Sequence, residues 1–98
     1  MICCVVRIKA LAGQGDAFVK AFTDYAETVK ADEPGTRVYT LNKDRDEADL
    51  FWAVEFYDSP EAREVHAANF VRLVAGAGHP VDGHPVFQTF DTVAGYIE

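Results

Sequence analysis

His66 is the residue of this chain best placed for acid–base chemistry. It lies in the segment PEAREVHAANF, whose apolar spacing puts it on the inner side of a helix, where aromatic residues are expected opposite it. An imidazole titrates near neutral pH, so a histidine in that position can take the proton of a phenol bound against it. Asn69, on or beside the same helix face, can hold a carbonyl or hydroxyl, and Phe22, Tyr25, Trp52 and Phe70 are the expected walls of the pocket. The same residues also have a plain structural reading. A histidine at a helix–sheet boundary is often simply hydrogen-bonded, and aromatics at helical spacing usually form core. A pocket lined by core residues satisfies both readings.

The remaining groups that could do chemistry are read differently. Glu55 lies inside a strongly apolar strand, where a carboxylate is costly unless paired, and Arg7 on a neighbouring strand is the expected cross-strand partner on the sheet face away from the helices. His79, Asp82 and His84 suggest a metal triad, but their spacing suits neither a helical nor a hairpin ligand set, and no metal site is expected. Cys3 and Cys4 are adjacent in a strand, point to opposite faces and read as reduced core thiols. No glycine-rich loop follows a strand, so neither a nicotinamide nor a flavin site is indicated, and no cofactor is expected.

Six elements position these groups. ICCVVRIKA, residues 2 to 10, reads as a strand; Asp16 opens a helix with the stripe Phe18, Phe22, Tyr25 and Val29, ending near Asp32 because Pro34 and Gly35 follow. Thr36 to Lys43 is a second strand, DRDEAD a turn, and Leu50 to Tyr57 a third strand, apolar at both parities. Ser59 caps a second helix, with Pro60 in its first turn and Glu61 at its positive end. This helix runs towards Ala75, and a loop rich in glycine and proline leads to a long last strand, Val86 to Ile97. The order β-α-β-β-α-β predicts an α+β, ferredoxin-like four-stranded antiparallel sheet with both helices on one face, as a single domain over residues 1–98.

The uncovered face then decides the assembly. With Val6 and Trp52 under the helices, Val5, Phe51, Ala53, Tyr57, Tyr39 and Leu41 face outward, an apolar surface too large for a monomer. A homodimer packed sheet to sheet is the expected state. The 98 residues are 49% hydrophobic and 26% charged, ordinary for a folded domain, and 16 acids against 9 bases give a net charge of -7. That sign opposes nucleic acid and anionic membrane surfaces. The N-terminus lacks the pattern of a signal peptide and no apolar run is long enough to span a bilayer, so the expectation is a cytoplasmic protein.

The stretch EPGTRVYTLNKDRDEADLFWAVEFYDSPEAREVH resembles the antibiotic biosynthesis monooxygenase family, dimeric α+β barrel proteins with an E-P-G turn, a Y-x-L strand, an F…E-x-(W/Y) strand and a helix carrying A…H. The resemblance implies the dimeric fold and a cofactor-independent monooxygenase acting with dioxygen on a small aromatic of the hydroquinone or anthrone type, with His66 as base. The family also includes small-molecule isomerases, haem-degrading oxygenases and proteins of no established activity, so a non-catalytic dimeric binder of an apolar ligand is the alternative. The haem-degrading members carry tryptophan at the position of His66, an iron-ligating histidine ten residues later and an asparagine near Val6; this chain has Gly76 at the second of these and apolar residues at the third. Where many members read H-x-x-(S/T)-x-H-F, this chain reads HAANF and keeps one histidine.

Overall fold

The strand formers and the capped helices fold as β1 (Ile2–Lys9), α1 (Gly15–Asp32), β2 (Thr36–Lys43), β3 (Leu50–Tyr57), α2 (Pro60–Val74) and β4 (Val86–Asp91). The computed structural model describes residues 1–74 and 80–97, with only the backbone of residues 71–74. His79, and the side chain of Leu73 on the predicted inner face of α2, lie outside the described residues. The four strands form one antiparallel sheet in the order β2-β3-β1-β4, so the two most apolar strands are central. Among the described residues no helix is long and apolar enough to cross a membrane.

The register sets which side chains meet the helices. Cys4 stands opposite Glu55, Val6 opposite Ala53 and Ile8 opposite Phe51. Cross-strand partners share a face, so the helix-covered side consists of Cys4, Val6 and Ile8 from β1 with Phe51, Ala53, Glu55 and Tyr57 from β3, all buried. This corrects the expectation that Trp52 lies with Val6 beneath the helices. β3 is apolar at both parities, so its pattern is compatible with either face, and pairing with β1 selects the odd-numbered one. Trp52 lies on the open face opposite Arg7, and its indole Nε1 donates to Asp44 Oδ1 at 3.1 Å. The expected Arg7–Glu55 pair is absent for the same reason: the two are on opposite faces, and Arg7 Nη2 lies 3.6 Å from Glu47 Oε2.

The open face remains apolar, built now of Cys3, Val5, Trp52, Val54 and Phe56, all only half-buried in the single chain, with Phe90 beside Cys3 on β4. β4 stops at Asp91 rather than continuing to Ile97. It pairs with β1, whose Ile2 stands opposite Asp91; the Thr92 N–H adds one bond to the Met1 carbonyl at 3.0 Å, and Gly95 then takes a positive φ of 103°. Val93 and Tyr96 beyond it are almost fully exposed.

Two local features place α2. The Ser59 side chain accepts from the Ala62 backbone N–H at 3.1 Å, as an N-cap should. Gly35 runs directly beneath the helix: a Cβ there would lie 2.6 Å from Ala62 Cβ, closer than any side chain permits. The E-P-G turn thus ends α1 and lets α2 close over the chain, which brings Glu33 under His66.

Candidate active site

His66 is 8% exposed and faces the sheet across the layer between α1 and α2. Its Nδ1 lies 2.8 Å from Glu33 Oε1. A carboxylate can only accept, so Nδ1 carries the ring proton in this bond and Nε2 presents its lone pair. Glu33 is 2% exposed, and further interactions hold it. Thr36 Oγ1 donates to its Oε1 at 3.0 Å, Asn69 Nδ2 donates to its Oε2 at 3.2 Å, and its own backbone N–H donates to the Val29 carbonyl at 2.9 Å, closing α1. The carboxylate is therefore fixed from α1, β2 and α2 at once, and it fixes the imidazole in turn. This is the base-and-orienter arrangement that nucleophilic and proton-transfer sites use.

On its other side His66 Nε2 looks towards Glu55, with 3.8 Å to Oε1, beyond hydrogen-bond range. Glu55 is 7% exposed and accepts a hydrogen bond from the Tyr57 hydroxyl, two residues along the same strand and so on the same face. Burial is the main influence on Glu55 and pushes its carboxyl above the usual range, against the opposing pull of Tyr57, His66 and Arg63. Burial likewise pushes the Tyr39 and Tyr57 hydroxyls up, and the Glu55 charge adds to the push on both. Both tyrosines therefore stay protonated at neutral pH.

These groups form the polar end of a cavity of about 610 Å³ with a largely apolar wall. Cys4, Val6 and Ile8 make its floor, Phe22 and Tyr25 come from α1, Arg63 and Phe70 from α2, and Phe87 from β4. Phe22 stacks on Tyr39 with ring centroids 4.6 Å apart, and the Tyr39 ring meets His66 edge-on at 5.0 Å. Phe70 lies 6.2 Å from the His66 ring on the far side. The volume suits a small molecule, and flat aromatic walls suit a flat ring. Among the described residues no group of three or more His, Cys, Asp and Glu side chains is arranged to hold a metal, and Asp82 and His84 are exposed.

Of the residues expected at the site, the fold brings Phe22, Tyr25, His66 and Phe70 together around this cavity. Asn69 sits behind the imidazole on Glu33 instead of lining the cavity, and Trp52 is on the opposite side of the sheet. Sequence reasoning missed Glu33, read there as turn punctuation, and assigned Glu55 to the wrong face. It also passed over Tyr39, Tyr57 and Arg63. Only Tyr57 carried a readable signal, its even spacing from Glu55; Glu33 and His66 are 33 positions apart and no local pattern links them.

Comparison with known proteins agrees with this architecture. The chain matches the family model for antibiotic biosynthesis monooxygenases over residues 1–77. No curated protein matches it. Among solved structures, a protein from Caulobacter crescentus provisionally assigned as an antibiotic biosynthesis monooxygenase is 33% identical over 95% of this chain and 90% of its own, with a TM-score of 0.85. A Deinococcus radiodurans protein with the same provisional assignment is 16% identical, covering 99% and 97% of the two chains at a TM-score of 0.82. The haem degrader MhuD from Mycobacterium tuberculosis, solved with two haems in its active site, is 22% identical over 98% and 99% at a TM-score of 0.80; these last two show likeness of fold. With its family match covering most of the sequence, the chain belongs to the antibiotic biosynthesis monooxygenase family.

Proposed function

We propose that this protein is a cofactor-independent monooxygenase acting on a small hydroxylated aromatic, of the hydroquinone or anthrone type, as a cytoplasmic homodimer paired through the open sheet face. The observation that carries this reading is the Glu33–His66 pair: a buried carboxylate holds Nδ1 at 2.8 Å and leaves Nε2 as a base at the end of an aromatic-walled cavity. His66 Nε2 takes the proton of the substrate hydroxyl, Glu33 stabilises the imidazolium, and the resulting phenolate is electron-rich enough to give an electron to dioxygen. Recombination of the ring radical with superoxide forms a carbon–oxygen bond, and the carbon hydroperoxide loses water to leave a carbonyl. The substrate supplies every electron: an anthrone methylene plus dioxygen gives a ketone plus water, and a hydroquinone gives a hydroxyquinone plus water. The apolar wall shields the intermediates from solvent.

Haem is a poorer fit to these residues. The resemblance places an iron-ligating histidine where this chain has Gly76, and an asparagine near Val6, which is buried and apolar in the cavity floor. The test is oxygen uptake on a panel of hydroquinones and anthrones with wild-type and His66→Ala protein. Uptake that depends on His66 supports the reading. Ligand binding without turnover refutes it in favour of a binding protein, and oxygen-independent conversion refutes it in favour of an isomerase using the same base.

A further inference from the structure

We infer that Glu55, in its protonated form, is a second catalytic residue of this site: it donates a hydrogen bond to the same substrate oxygen from which His66 takes the proton. The inference rests on the functional reading above and adds to it the group that stabilises the anion. The geometry is the gap between His66 Nε2 and Glu55 Oε1. At 3.8 Å it is too long for the two to bond each other. An oxygen on the cavity side at about 2.8 Å from Nε2, the ordinary length of such a bond, can also reach the Glu55 carboxyl. Both residues line the cavity, so a ring hydroxyl bound there can bridge the two from the cavity side.

The charges around that gap require the acid to be neutral when the phenolate forms. Glu33 already places one carboxylate on the far side of the imidazole, which balances the imidazolium. An ionised Glu55 would put a second negative charge against the new phenolate in a largely apolar cavity, whereas the neutral acid offers it a donor. The other groups facing Glu55 do not replace this donor. Tyr57, on the same strand, donates its hydroxyl hydrogen bond to Glu55 Oε1 and so holds the carboxyl beside His66 instead of serving the substrate. Cys4 on β1 is a thiol that burial keeps protonated, and Tyr39 on β2 stays a neutral phenol. From α2, Arg63 lines the same cavity, and its charge opposes the upward push of burial on Glu55. A neutral carboxyl acting as an anion-holding donor in an apolar site is established chemistry elsewhere.

The test uses 4-nitrophenol, whose yellow phenolate band reports ionisation without any reaction with oxygen, alongside the pH dependence of oxygen uptake. Wild-type protein is expected to bind the probe as phenolate at a pH where the free probe is largely protonated, lowering its apparent pKa by about one unit or more. Glu55→Ala loses that lowering and costs about 10²-fold in uptake, while Glu55→Gln, which keeps an N–H donor, retains part of both. The wild-type uptake profile falls on the alkaline side as Glu55 ionises, and in Glu55→Gln this limb disappears. Failure of wild-type protein to bind the probe as phenolate, equal ionisation of the probe in wild type and Glu55→Ala, or an alkaline limb that persists in Glu55→Gln, overturns the assignment. Probe behaviour as expected with no oxygen uptake on any substrate leaves Glu55 standing and removes the monooxygenase reading.

Discussion

Replacing Glu33 with alanine isolates the orienting bond on which the site depends. Glu33 is 2% exposed and receives His66 Nδ1–H at 2.8 Å, Thr36 Oγ1–H at 3.0 Å and Asn69 Nδ2–H at 3.2 Å. The most expensive loss is at His66, whose Nδ1–H is left buried without a partner, at about 1–3 kcal/mol. Thr36 and Asn69 are only partly buried and can turn towards water, so each adds roughly 0.5 kcal/mol. Relief of the cost of burying the Glu33 carboxylate offsets part of this, and a net loss of about 2–3 kcal/mol follows. For a domain of this size that corresponds to a fall in Tm of roughly 10–20 °C. The assay is thermal and urea unfolding at a fixed protein concentration, because association shifts both. A double-mutant cycle with His66→Ala should give a coupling of about 1–2 kcal/mol, since the two side chains share one bond. Oxygen uptake should fall in Glu33→Ala even at temperatures where it remains folded, because Nε2 loses its fixed tautomer and direction. A Tm change of less than about 3 °C, or additivity within about 0.5 kcal/mol, would refute the claim that this carboxylate holds the imidazole.

Three further outcomes follow from the same geometry. Gly35→Ala should destabilise the protein by about 1–3 kcal/mol, measured by urea unfolding, because its Cβ would meet Ala62 Cβ at 2.6 Å and displace α2 with His66. Glu55→Gln should raise stability at neutral pH. Burial holds the folded-state pKa of Glu55 above its unfolded value, so the native state binds more protons through that window and wild-type stability falls as pH rises through it. The advantage of the glutamine variant in thermal melts should therefore shrink on acidification towards the ordinary carboxylate range; a constant difference would contradict this. Phe56→Asp, at the centre of the open face beside Cys3, should convert the proposed dimer to monomer in sedimentation and leave the cavity residues in place. Trp52, the single tryptophan, lies on that face, so its emission should shift to the red when the dimer dissociates and should be indifferent to ligands in the cavity.

The elements and their order were legible because each is written locally. The alternation of ICCVVRIK, the spacing of Phe18, Phe22, Tyr25 and Val29, and Ser59 before Pro60 place strands and helices within a residue or two of where they stand. The candidate base was legible too, since a histidine on the inner face of a helix can be recognised from periodicity alone. The length of β4 was not, because its end depends on where β1 begins.

By itself, then, the amino-acid order determined the β-α-β-β-α-β plan, an apolar sheet face without a helix over it, and His66 as the base to examine. Tertiary structure decided which face of β3 the helices cover, because a strand apolar at both parities takes its orientation from the register of its partner. That one choice moved Glu55 and Tyr57 into the cavity and Trp52 out of it. It also decided what His66 can do, since a carboxylate 33 residues away reaches the imidazole only when Gly35 lets the E-P-G turn pass beneath α2.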